Sequence, residues 1–281
     1  MPVRIVIDSS CDLPPAQMQE LADMGIPMVP LLIHFGMETI VDRTISMSEF
    51  LAKGAEAWPT TAAPSAGAFV EAFRQFIDKG EQVICITITA QHSSSFQSAT
   101  LAAQQFPPDQ IAVEDSYSLS LGQGLVVLAA ARAAREGATF HEIIELIRDV
   151  RSRVHLYIAL ETVEYVVKGG RVSKLGGILA TLLRIRPILT LQEGELTMVQ
   201  KPRGHKAAVE QLVDLAAAAL PADMVGIGHI ACPEWAEELA TAFCQRTAYP
   251  REEILLTETG SIMATHGGPG VLGIGCLCRA R

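Results

Sequence analysis

The sequence predicts an α/β protein of two domains, a parallel sheet covered by helices followed by an α/β domain with a mixed sheet. Three observations predict it. The short apolar runs VRIVID (3–8), QVICITIT (82–89) and IAVEDS (111–116) each end in a polar loop and lead into a helical stretch. That repeated order lays parallel strands side by side with helices on both faces. From about Val154 the apolar runs crowd together and several alternate, with EGE (193–195) as a turn between two of them. The chain has 281 residues, more than one small domain needs and fewer than three would use.

The elements follow in order from local pattern. After Pro64, Ser65 takes the N-cap position of a helix in which Phe69, Phe73 and Phe76 recur at spacings of four and three, one face of the helical period. After three consecutive serines, Phe96, Ala99, Ala103 and Phe106 repeat that spacing. GLVVLAAARAARE (124–136) and HEIIELIRDVRSR (141–153) are two further helices, separated by Gly137. Beyond Val154, VHLYIALE, RPILTLQEGELTMVQ, MVGIGHIA, EILLTE and VLGIGCLC read as strands, the EGE turn making a hairpin. GHKAAVEQLVDLAAAAL (204–220) and EWAEELATAFCQ (234–245) are the helices between them. No linker rich in Pro, Gly or Ser divides the halves, so the expected division is residues 1–152 and 153–281.

Composition narrows the function. The chain is 49% hydrophobic with a mean hydropathy of +0.28, yet no apolar run approaches the roughly 18 residues of a membrane span. The apolar surface must turn inward, around a large core or an internal apolar cavity. A net charge of −9 leaves no electrostatic footprint for nucleic acid or an anionic membrane, and an integral membrane protein is not expected. The N-terminal MPVRIVIDSS enters a strand at once, without the pattern of a signal peptide. Six cysteines without CxxC spacing read as reduced, mostly buried thiols of a cytoplasmic protein, and no metal site is expected.

The three serines, Ser93 to Ser95, sit where a strand should end at the carboxyl edge of its sheet and a helix should begin. Ligands of open α/β sheets bind at that edge, and a helix start offers unpaired N–H groups and the positive end of a dipole. Two readings stand: Ser93 or Ser94 caps the helix, or the loop holds an anion. A serine hydrolase is disfavoured, because there is no GxSxG elbow and His92 is adjacent in sequence rather than placed as a base. No Lys or Arg lies between Lys79 and Arg132 and the loop has no glycine, so the anion is a carboxylate rather than a phosphate. PTTAAPSAGAF (59–69) supplies a second hydroxyl cluster, in which Ser65 caps and Thr61 is free to point elsewhere. THGGPG (265–270) is a turn ahead of the last strand, with His266 as a candidate contact.

Seven stretches in order resemble the DegV family of bacterial fatty-acid-binding proteins: IVIDSSCDLP (5–14), GIPMVPLLIHFG (25–36), TAAPS (61–65), the serine loop (93–99), DSYSLSLGQG (115–124), KGGRVSKLGG (168–177) and HGGPGVLGIG (266–275). The resemblance implies two α/β domains with a long-chain fatty acid between them, its tail in an apolar tunnel. It implies that Ser93 and Thr61 hydrogen-bond the carboxylate and that His266 lies close to that head group; Ser94 and Ser95 are further candidates for the same group. It also implies delivery of the acyl chain to a separate ATP-dependent fatty acid kinase, whose acyl phosphate enters phospholipid synthesis, with Arg171 at the mouth and at the kinase contact. Lys168, Arg171 and Lys174 gather positive charge around Gly169 and Gly170, where a helix should stop. Ala62 and Ala63 replace the family's usual Ser-Gln, and Ser94 and Ser95 its usual Gly-Thr. The stretch Gly176–Leu189 is expected to wall the tail.

No catalytic residue and no cofactor is expected, only the fatty acid as ligand. Two alternatives remain: a carrier or sensor of another apolar carboxylate, and an enzyme related to dihydroxyacetone kinases. Against the enzyme stand the lack of a triphosphate loop and of a carboxylate cluster suited to Mg²⁺, since Asp8, Asp42 and Asp115 are scattered.

Overall fold

The structure, a computed structural model, describes residues 1–171 and 185–280. Its first part is a four-stranded parallel sheet of β1 (Val3–Asp8), β2 (Met28–Val29), β6 (Gln82–Thr87) and β7 (Ile111–Asp115), in the order β2-β1-β6-β7. Alternation along the strands covers both faces. Val6, Val83 and Cys85 pack with Phe69, Phe73 and Phe76 of α3 (Ala66–Ile77) and Ala99 and Ala102 of α4 (Ser95–Ala103). Ile5, Ile7, Ile84 and Ile86 face α5 (Ser120–Arg135) and α6 (Phe140–Arg153). Ser65 caps α3 by accepting from Ala68 N at 3.2 Å, and α4 stops at Ala103, short of Phe106.

A small antiparallel sheet, unforeseen in the sequence, interrupts this pattern. It consists of β3 (Leu32–Phe35), β4 (Glu38–Val41) and β5 (Pro59–Ala62), with β3 in the middle; α1 (Pro15–Asp23) precedes it and α2 (Met47–Glu56) lies between β4 and β5. Thr61 therefore stands on a strand, paired with Ile33, and not in a loop.

Helix α6 runs directly into β8 (Val154–Ala159), the first strand of a six-stranded mixed sheet. With β9 (Ile188–Gln192), β10 (Glu195–Gln200), β11 (Ala222–His229), β12 (Ile254–Glu258) and β13 (Leu272–Cys278) it runs in the order β10-β9-β8-β13-β11-β12, with β11 and β12 parallel. The expected hairpin is present: β9 and β10 pair antiparallel across Glu193 and Gly194, both at positive φ. The outer face packs Ile227, Ile274 and Cys276 against α8 (His205–Ala217) and α9 (Pro233–Thr247).

On the inner face β11 and β13 lack side chains at their centre. Gly226 pairs with Gly275 and Gly228 with Gly273, all on the side opposite Ile227 and Ile274. Leu121 of α5 lies over the first pair: a Cβ on Gly226 would meet Leu121 Cδ1 at 2.8 Å, while one on Gly275 would sit 3.6 Å from Leu121 Cδ2. Helix α5 is thus packed between the two large sheets, and it is buried all round from Ser120 to Leu128. That placement explains its nearly uninterrupted apolar sequence.

One carboxylate ties several segments together. Asp12, in the loop after β1, accepts from Arg43 Nη2 at 2.8 Å, from Ser120 Oγ at 2.6 Å and from Gly260 N at 2.9 Å. These partners belong to the loop after β4, the first residue of α5 and the N-cap of the short helix α10 (Ser261–Gly267).

Leu121→Ala removes the side chain that fills the space over Gly226 and Gly275. It is expected to lower stability by about 2–5 kcal/mol in urea denaturation with an unchanged slope, as for other buried leucine truncations.

Candidate functional site

A cavity of about 720 Å³ opens where the three sheets meet. Thr61, Ser93, Ser94, Arg171 and His266 all line it at its polar part, and Leu156, Ile158, Leu160, Leu189, Gly228 and Gly273 line it along the mixed sheet. Its volume lies within the range of small-molecule sites, roughly 300–1,000 Å³.

The serine loop leaves the carboxyl end of β6. Its position is fixed from behind: Asp8 Oδ2 accepts from Ile88 N at 2.9 Å, and Asp115 Oδ2 accepts from Ala90 N at 3.0 Å. Asp8 is fully buried, and burial raises its pKa while hydrogen bonds from Gln123, Ser10 and Ile88 oppose that rise. Ser93 Oγ accepts from Ser95 N at 3.2 Å and contacts Ser95 Oγ at 2.9 Å. Ser93 thus caps part of the first turn of α4 while also lining the cavity. Ser94, the N-cap residue, makes no capping bond through its side chain and lies exposed at the cavity. Ser95 is fully buried beneath Ser93.

Thr61 and His266 come from residues 205 positions apart and meet, with Thr61 Oγ1 2.8 Å from His266 Nε2. The expected turn at His266 is instead the last turn of α10. This helix presents Ile262, Met263 and His266, spaced one, three and four apart, to the cavity. Its end packs tightly on the glycines after α7 (Glu164–Lys168): a Cβ on Gly169 would sit 2.5 Å from His266 Nδ1. That nitrogen is buried with no hydrogen-bond partner among the described residues. Burial, then the positive charge of Arg171, then His92 push the His266 pKa down to about 3, so the imidazole is neutral near neutral pH.

Arg171 lies at the same cavity, half-buried, with Nη1 donating to Gly169 O at 2.6 Å. Burial lowers its pKa. Lys168, at the end of α7 as the glycines predict, instead faces outward, paired with Glu164 at 2.6 Å and 4.2 Å from the Trp58 ring centre. Lys174 and residues 176–184 of the expected tail wall lie outside the described residues; Leu189 lines the cavity.

His92 had no role in the sequence beyond its unsuitability as a base. Here its Nε2 accepts from Leu196 N at 3.0 Å, and Thr89 Oγ1 donates to Gly194 O at 3.0 Å. The two bonds join the serine loop to the β9–β10 hairpin. A single histidine in a polar loop carries no periodic signal that could have announced this.

The arrangement offers hydroxyls and a neutral imidazole at one part of a largely apolar cavity, which the half-buried Arg171 also lines. Such a set suits an anion with an apolar body. Among the described residues no group of three or more His, Cys, Asp and Glu side chains is placed to hold a metal ion, and no helix is long and apolar enough to cross a membrane.

Comparison with known proteins bears on this site. The model of the family described as "Uncharacterised protein, DegV family" matches residues 2–279. A DegV domain-containing protein of Caldanaerobacter subterraneus subsp. tengcongensis is 31% identical over 277 residues, 97% of each chain. Among solved structures, a DegV family protein of Thermus thermophilus described by its fatty acid binding superposes with a TM-score of 0.91 at 29% identity, covering 99% of this chain and 100% of that one. A DegV family protein of Ruminococcus gnavus, solved with vaccenic acid, superposes with a TM-score of 0.86 at 26% identity over 98% of this chain and 99% of that one.

The low His266 pKa has a consequence for stability. An unfolded histidine titrates near 6.5, so on acidification the unfolded chain binds this proton first. Stability present above that value is lost as pH falls from 6.5 towards 3, by at most about 1.4 kcal/mol per pH unit. His266→Gln removes this term. In urea denaturation between about pH 7 and pH 5 the wild type should lose stability faster than the variant; parallel losses would contradict a neutral, buried His266.

Proposed function

The chain belongs to the DegV family, and from that premise we propose that it binds a long-chain fatty acid and presents it to a separate ATP-dependent kinase. The observation that carries the reading is the cavity itself, hydroxyls and a neutral imidazole at one part and aliphatic side chains with bare glycine backbone at the other. Fatty acids in the related Thermus thermophilus and Ruminococcus gnavus proteins support it.

In this reading Ser93 and Thr61 donate to the carboxylate. His266 orients the Thr61 hydroxyl through the 2.8 Å contact, and Ser94 is a further contact from the exposed side of the loop. The buried Ser95 supports Ser93 and does not line the cavity. The division of the chain into units of residues 1–152 and 153–281 places the head-group hydroxyls on the first and most of the tail wall on the second. The tail dominates affinity: each buried CH₂ contributes roughly 0.8 kcal/mol, so a sixteen-carbon chain gains on the order of 11 kcal/mol before ordering costs. The protein is a carrier in this scheme, and the kinase performs the chemistry on the exposed carboxylate.

Mass spectrometry of lipids extracted from purified protein tests the ligand. A stoichiometric long-chain carboxylic acid is expected. Another apolar carboxylate would favour the wider carrier reading, and repeated recovery of none would overturn both.

Ser93→Ala tests the head group. A hydrogen bond to a charged group contributes about 1.5–3 kcal/mol, so the ligand should remain bound while phosphorylation of its carboxylate by the kinase falls. Thr61→Ala should resemble it. Loss of about 1 kcal/mol of stability with acyl phosphorylation intact would reduce Ser93 to a helix cap.

Arg171→Glu tests the partner surface. Fatty acid should stay bound and association with the kinase should weaken. Loss of the fatty acid would make Arg171 a ligand contact instead.

A further inference from the structure

The serine loop is held from two sides. Asp8 and Asp115 fix its backbone from the parallel sheet. From the mixed sheet the β9–β10 hairpin reaches over and bonds it twice, Thr89 to Gly194 and Leu196 to His92. The approach is close: a Cβ on Gly194, which stands at φ +83, would lie 2.2 Å from Thr89 Oγ1. His92 and Leu196 both line the cavity, as does Leu189 on the partner strand of the hairpin. The His92–Leu196 bond therefore joins two walls of the cavity, one residue away from Ser93.

We propose that His92 is a positioning residue of the head-group site: its Nε2 latches the serine loop to the β9–β10 hairpin, fixing Ser93 and closing the cavity wall between them. A backbone N–H needs an acceptor, and a side chain at this position without a lone pair would leave Leu196 N unsatisfied in a partly buried place. The imidazole acts as acceptor only while Nε2 carries no proton. Burial, with Arg171 assisting and Glu195 of β10 opposing, lowers the His92 pKa, which keeps the ring neutral near neutral pH. Among the described residues His266 on α10 also acts on it, held neutral down to about pH 3. As pH falls through the lowered His92 pKa, Nε2 becomes a donor facing a donor and the latch opens. Release of ligand should then accelerate on the acid side and be slow and level above it.

The ligand arm of the test rests on the proposed fatty acid binding; the latch arm does not. For the first, the full chain is loaded with palmitate labelled with ¹³C at the carboxyl, and its transfer to excess delipidated albumin is timed across the acid-to-neutral range. Near neutral pH, His92→Leu is expected to release palmitate on the order of tenfold faster than wild type, with a shifted carboxyl resonance. His92→Gln, which supplies a neutral acceptor, should restore slow release and lack the acid acceleration of wild type. For the second arm, hydrogen exchange at the Leu196 amide is followed without ligand. Protection should be lost in His92→Leu and retained in His92→Gln.

Wild-type release and wild-type Leu196 protection in His92→Leu would overturn the latch, as would an acid acceleration in His92→Gln equal to that of wild type. If the wild type takes up no palmitate, the fatty-acid reading fails and the exchange arm still decides the latch.

Discussion

The Asp12 carboxylate accepts hydrogen bonds from three segments far apart in sequence: Arg43 beyond the small antiparallel sheet, Ser120 at the start of α5 and Gly260 at the start of α10. Charge-assisted bonds of this kind are short and directional, and a buried carboxylate that lost them would be strongly destabilising. The geometry of the site descends from this point. Helix α10 is capped at Gly260 and ends one residue past His266, so its anchorage sets where the imidazole meets Thr61. Arg43 also donates to the carbonyls of Ser9 and Cys11, holding the β1 loop against the end of β4. Helix α5 could not lie so close to that loop with a side chain at Gly124, whose Cβ would meet Asp12 O at 2.8 Å.

At the polar part of the cavity the chain sets hydroxyls and a neutral ring beside the half-buried Arg171. The choice is consistent with burial. A cationic imidazole beside Arg171 would be disfavoured twice, by desolvation and by like charge, and both causes lower the His266 pKa. A neutral Thr–His pair costs little to bury because its members satisfy one another. The unpaired His266 Nδ1 is the exception, enclosed by Gly169, and it shows how closely the segment after α7 is pressed onto α10.

Much of the architecture was legible in the sequence. Phe69, Phe73 and Phe76 mark the buried face of α3, and the strand after each polar loop lies in the sheet that its order implied. The small sheet was not legible, because its strands have four residues each and β3 pairs with β5 across the intervening β4 and α2. Periodicity needs length, and long-range pairing leaves no local mark. Of the site, the hydroxyls at 61 and 93 could be singled out by their place ahead of helices. The partnership of Thr61 with His266 could not, since 205 residues separate them. Nor could the short helix under His266, whose seven residues SIMATHG sit between glycines that suggest a turn.

The paired glycines of β11 and β13 carry an implication for how such a cavity can change over evolutionary time. At Gly226 and Gly275 the missing side chains are replaced by Leu121; Gly228 and Gly273 line the cavity, where a Cβ on Gly228 would stand 3.2 Å from Thr259 Cγ2. A wall made of backbone is already at its limit, because no substitution can remove atoms from glycine. Every mutation at Gly228 or Gly273 must narrow the space, and at Gly273 the first added carbon meets nothing nearer than Tyr157 O at 3.4 Å, so the fold would tolerate it. Broader selectivity has to arise from the leucines and isoleucines opposite, at the expense of core packing. Drift on this face of the sheet therefore runs in one direction, towards smaller occupants.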